Sequence, residues 1–67
     1  MITALGVYYL QANRAPAAIQ LLAPVVTRMP RFVYGRFLLG SAYLAGERPT
    51  EALEQFTALE QQLPREP

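Results

Sequence analysis

An all-α fold of two antiparallel helix–turn–helix units, four helices in all, is predicted by three features of this chain. The sequence repeats at a spacing of 34 residues, Pro and Gly punctuate the repeat at matching places, and the segments between them carry helical apolar spacing. Shifted by 34 residues, Leu5-Gly6 falls on Leu39-Gly40, Tyr9-Leu10 on Tyr43-Leu44 and Arg14 on Arg48. Ala18 then falls on Ala52, and Pro30-Arg31 on Pro64-Arg65. These are eight identities in 33 compared pairs, where ordinary residue frequencies give about two. Ile19 with Leu53, Leu22 with Phe56, Val25 with Leu59 and Met29 with Leu63 keep their character. The chain is therefore one domain: unit one (1–30), unit two (31–64) and a tail (65–67).

The first helix is expected from Ile2 to Ala12, with Asn13 at the turn. Pro16 sits in the first turn of the second helix, where its missing N–H costs nothing, and Pro30 stops it. Pro24 lies inside that helix and deprives the Gln20 carbonyl of its partner, which predicts a kink or a split. The third helix is expected over Arg31–Ala45, with Gly46 in the place of a left-handed C-terminal cap. Pro49 opens the fourth, Pro49–Leu63, whose apolar residues Ala52, Leu53, Phe56, Leu59 and Leu63 form one amphipathic stripe. Glu51 and Glu54 stand near its start, where the helix dipole favours negative charge, and Pro64 ends it.

Gly6 and Gly40 are mid-helix glycines, each costing about 1 kcal/mol relative to alanine. Their recurrence at one phase points to close helix approach, with Ala18 and Ala52 facing them and Tyr9 and Tyr43 covering the next turn of the partner helix.

The pattern Leu-Gly-x-x-Tyr, Ala nine residues on, a large apolar residue four further and Pro closing a 34-residue unit resembles the tetratricopeptide repeat. It stands here as Leu5, Gly6, Tyr9, Ala18, Leu22 and Pro30, and again as Leu39, Gly40, Tyr43, Ala52, Phe56 and Pro64. The resemblance covers nearly the whole chain and implies a short right-handed α-solenoid. The chain departs from the family at three places. Ile2 and Arg36 replace an expected aromatic, which loosens one edge of the packing; the turn glycine is one place early at Gly46 and is Asn13 in unit one; and Pro24 interrupts a helix.

Composition excludes much chemistry. The 67 residues hold no Cys, His, Lys, Asp or Trp, which removes thiolate and imidazole metal ligands and the commonest acid–base groups. Ser41 has no His or Lys to act as its base, and Glu47, Glu51 and Glu54 beside Arg48 read as a solvated first turn. No catalytic residue, metal site or cofactor is expected. A net charge of +1 argues against nucleic acid. Neither uncharged stretch, Met1–Asn13 nor Ala15–Thr27, is a membrane span or a secretory signal. The lack of Cys fits a cytosolic or a periplasmic address, the cytosolic being preferred.

The chain is 52% apolar and 16% charged, so it has more apolar surface than two units can hide. Helix Pro49–Leu63 presents Glu54, Gln55, Glu60, Gln61 and Gln62 outward and serves as a solvated cap. Helix Ile2–Ala12 is apolar all round, and such a helix is a buried one. Ile2, Leu5, Tyr8 and Tyr9 are therefore expected to be covered by a second copy of the chain or by adjoining repeats. The resemblance implies a scaffold whose first helices line a groove for a peptide or partner helix. Carried over position by position, the groove is Thr3, Val7, Leu10 and Gln11 from unit one and Tyr34, Phe37, Ser41, Leu44 and Ala45 from unit two. Val7, Phe37 and Ser41 stand where the chaperone-tail binders of the family carry Lys, Arg and Asn, so carboxylate capture is not expected. Residues 1–46 carry four Arg and no acid, and 47–67 carry two Arg and five Glu; this reads first as solvated faces and, alternatively, as a polarity that steers head-to-tail association.

Overall fold

Prolines at 16, 30 and 49 and the turns beside them cut the chain into four helices. The computed structural model describes residues 2–62, Ile2 by its backbone alone. The helices are α1 (Ile2–Gln11), α2 (Ala15–Arg28), α3 (Val33–Ala45) and α4 (Pro49–Gln62). No strand occurs among the described residues, so the fold is all-α. Leu63, the stop at Pro64 and the 65–67 tail lie outside them. Short turns make consecutive helices antiparallel neighbours. Helix α3 packs against each of the other three, whereas α4 packs against α3 alone. This order, with α1 reaching past α2 to α3, is consistent with two stacked hairpins.

The turn inside each hairpin is built twice in the same way. Asn13 and Glu47, 34 residues apart, both take the left-handed conformation, with φ of 61° and 62°. The Arg14 N–H donates to the Tyr9 carbonyl and the Arg48 N–H to the Tyr43 carbonyl, each at 2.8 Å. The Asn13 N–H reaches Leu10 and the Glu47 N–H reaches Leu44, each at 3.1 Å. These six-to-one and five-to-two bonds are a Schellman cap, which satisfies the last carbonyls of the helix. Each arginine then lies over a tyrosine ring, Arg14 over Tyr9 at 5.6 Å and Arg48 over Tyr43 at 5.1 Å. The Arg–Tyr stack takes the place of the apolar contact that usually seals this cap, and is worth about 0.5–1 kcal/mol at an exposed site. The left-handed residue of unit two is thus Glu47 and not Gly46, whose φ is −88°. Counting from Asn13 locates it; glycine preference alone did not.

The core lies between the units. Ala18, Leu22 and Val26 of α2 form one buried cluster with Leu38, Leu39 and Ala42 of α3. Val7, Tyr9, Leu10, Ile19, Ala23 and Tyr43 pack around it. Leu22 is the one large side chain with essentially no exposure among the described residues. Gly6 makes room for it and Gly40 for Phe56: a Cβ on Gly6 would lie 3.3 Å from Leu22 Cδ1, and one on Gly40 2.8 Å from Phe56 Cε1. The side chains nearest the two glycines are Leu22 and Phe56, while Ala18 and Ala52, which the sequence set opposite them, are both buried.

Two other expectations change and a third narrows. Of the kink or split expected at Pro24 the split does not occur; α2 is continuous from Ala15 to Arg28, with Pro24 exposed. Helix α3 begins at Val33 rather than Arg31. Phe32 caps it, its N–H bonded to the Met29 carbonyl at 3.0 Å, and its ring lies where a Cβ on Gly35 would be. Arg36 does not loosen its edge. Its Nη1 donates to Gln55 Oε1 and its Nη2 to the Pro30 carbonyl, both at 3.1 Å. Gln62 Nε2 donates to the same carbonyl at 2.6 Å, so the inter-unit loop is clamped to α3 and α4 together.

Candidate protein-binding surface

Residues 34, 37, 41 and 44 are spaced by three, four and three, so they form one row along α3. Tyr34, Phe37 and Leu44 are exposed on it and Ser41 is half-buried. The Tyr34 and Phe37 rings stack, with centroids 6.4 Å apart and planes 15° from parallel. Phe37 also meets Phe56 of α4 at 6.3 Å and 56°. Both distances lie in the range of productive aromatic pairing. The row is thus a three-ring patch that runs from α3 onto α4. Sequence reasoning placed Phe56 in the core stripe and missed it here. The available signal was its register, which it shares with the smaller Leu22: an aromatic ring at that place fills the gap over Gly40 and still reaches Phe37.

The α1 half of the expected groove is built differently. Val7 and Leu10 pack on the core cluster, Thr3 is half-buried and Gln11 and Ala45 are exposed. The exposed apolar part of the groove therefore belongs to α3. Of the residues expected to face a second copy, Leu5 and Tyr8 are exposed. Tyr9 is half-buried against the core beneath Arg14, with its ring 5.7 Å from that of Tyr8, so it faces inward. The Ile2 side chain lies outside the described residues. Helix α4 is not a purely polar cap: Leu53 is exposed on its outer side, off the buried stripe, and Gln55 is turned inward to Arg36.

Charge does little at the α3 patch. Arg36 is engaged by Gln55 and Pro30, and its Nε is buried without a partner. At the start of α4, Arg48 grips Glu51 at 2.8 Å, and this hydrogen bond holds the Glu51 carboxyl below its ordinary range. A shallow depression of about 580 Å³ lies against Met29, Pro30, Arg31 and Phe32. A second, of about 520 Å³, lies between Arg31, Val33, Gln61 and Gln62. Neither includes a residue of the α3 row. Among the described residues no group of three His, Cys, Asp or Glu is placed to hold a metal, and no helix is long and apolar enough to cross a membrane. No protein-family model, curated protein or solved structure matches this chain.

Proposed function

We propose that this chain is a tetratricopeptide-type protein-binding module without catalytic activity, and that its working surface is the α3 row. The observation that carries the reading is the exposed Tyr34–Phe37 stack, continued by Leu44 and floored by Phe56. Rigid aromatic rings offer large contact area at low entropic cost and dominate the centres of protein interfaces. A row at helical spacing suits a hydrophobic segment or an amphipathic helix laid along it. The twice-built Arg–Tyr turn supports the repeat on which the family resemblance rests. The engaged state of Arg36 disfavours nucleic acid, because it removes the one arginine near the row from phosphate contact.

The reading is tested by panning a phage-displayed library of 16-residue peptides against the immobilised chain. Enrichment of apolar or amphipathic sequences is expected. Their binding should be lost with Phe37→Glu and kept with Glu54→Gln on the opposite side of the patch. Enrichment that ignores Phe37→Glu, or no enrichment, refutes the assignment.

A further inference from the structure

The 34-residue register separates contacts made inside a unit from contacts made between units. Inside a unit the two copies agree: Gly6 and Gly40 are both buried, as are Ala18 and Ala52, and Tyr9 and Tyr43 are both half-buried. They disagree where unit one meets unit two. Leu39 is 2% exposed and Ala42 0%, whereas Leu5 and Tyr8, in the same positions of α1, are 41% and 56% exposed. Across the junction Ile19 of α2 packs on the core, while Leu53, its counterpart in α4, is 66% exposed. The leading side of α1 and the trailing side of α3–α4 are therefore the two halves of a junction that the molecule already makes once internally.

We propose that a second copy of this chain docks there head to tail, its α1 laid on α3 and α4 of the first as α3 is laid on α1 and α2 within each molecule. One point of the fit can be followed atom by atom. A methyl on Gly46 would sit 3.6 Å from both Ala15 Cβ and Ile19 Cδ1, which is ordinary contact. In the next copy Ala12 holds the register of Gly46 and carries that methyl, and it is exposed. Pro49 and Leu53 hold the registers of Ala15 and Ile19 and are exposed to receive it. Helix α1 carries no charged residue, so the fit of apolar side chains rather than charge sets the polarity. Two different faces meet, so the contact is heterologous and grows by addition instead of closing as a two-fold dimer. The proposal rests on the repeat and not on the α3 patch. A failed peptide selection leaves it intact, and its own failure leaves peptide binding intact.

The test is sedimentation equilibrium of the wild type, of Leu53→Glu, of Tyr8→Glu and of the two variants mixed in equal amounts. The wild type is expected to gain mass with concentration beyond that of a dimer. Each variant alone should be a monomer with wild-type helical circular dichroism, because each keeps one good face and lacks its complement. The mixture should give a species of two chains and nothing larger. A monomeric wild type at millimolar concentration, self-association of either variant alone, or a mixture that stays monomeric overturns the proposal. Should a glutamate variant lose helical content, Leu53→Ser and Tyr8→Ser carry the same test.

Discussion

Replacing Gly40 with alanine sets two opposing terms against each other, and the structure decides the sign. Removing a mid-helix glycine should stabilise α3 by about 1 kcal/mol. The new methyl, however, would lie 2.8 Å from Phe56 Cε1 and 2.9 Å from Cζ, closer than real carbon contacts allow. The ring can relieve this only by turning toward Phe37, whose ring lies 6.3 Å away, and that movement gives up part of the aromatic pairing. Overpacking of this kind costs about 1–3 kcal/mol. The net expectation for Gly40→Ala is a loss of roughly 0–2 kcal/mol, with larger losses for Gly40→Leu. In a Phe56→Leu background, which recreates the Gly6–Leu22 pairing of unit one, the clash eases and the same change should be neutral or stabilising. Urea unfolding followed by circular dichroism gives all four corners of this cycle, and the coupling should be about 1–3 kcal/mol. If Gly40→Ala stabilises the wild type by the full propensity gain, or if the two changes add, the crossing of α3 and α4 at Gly40 is wrong.

Leu22→Ala empties the largest fully buried site, and at about 2–5 kcal/mol it removes most of the roughly 3–5 kcal/mol a domain this small supplies. Helical circular dichroism should therefore collapse at room temperature, and a well-folded variant would contradict the placement of the core. Glu47→Gly relieves a left-handed non-glycine residue and should stabilise by about 1 kcal/mol, read as a higher urea midpoint, whereas Gly46→Ala should not behave as a lost left-handed cap. Because the folded state holds the Glu51 carboxyl below its unfolded value, its contribution is present above the ordinary glutamate range and is lost as pH falls through the lowered value. NMR titration of the Glu51 carboxyl should show a lowered midpoint that moves back toward the ordinary glutamate range in Arg48→Gln; an unchanged midpoint in that variant would refute the pairing.

The sequence was most informative where backbone chemistry is least negotiable. Pro16 and Pro49 open helices as expected, and the 34-residue shift placed every helix to within two residues among those described. It was less informative where one residue type can do two jobs. Gly46 matched the expected composition of a left-handed cap, yet hydrogen-bond geometry assigns that conformation to Glu47, because the Tyr43 carbonyl must reach the Arg48 N–H. Pro24 lacks a donor, but it sits on the exposed side of α2 and leaves the helix continuous. For the candidate site, the spacing of Tyr34, Phe37, Ser41 and Leu44 was legible on α3. The contribution of Phe56 was not, because it depends on the distance between α3 and α4 rather than on either helix alone. Leu53 was assigned to the buried stripe because periodicity gives a stripe its width but does not say which neighbour is present to cover each edge.

The most direct measurement is an NMR comparison of the two turns. The proposed head-to-tail docking and the proposed kinship of the module both start from one hairpin built twice, so the two halves must give matching signals. The spectra should show nuclear Overhauser contacts from the Tyr9 ring to the Arg14 side chain and from the Tyr43 ring to Arg48, with positive-φ couplings at both Asn13 and Glu47. Contacts and couplings in one half alone, or in neither, would contradict the repeat and the head-to-tail docking with it.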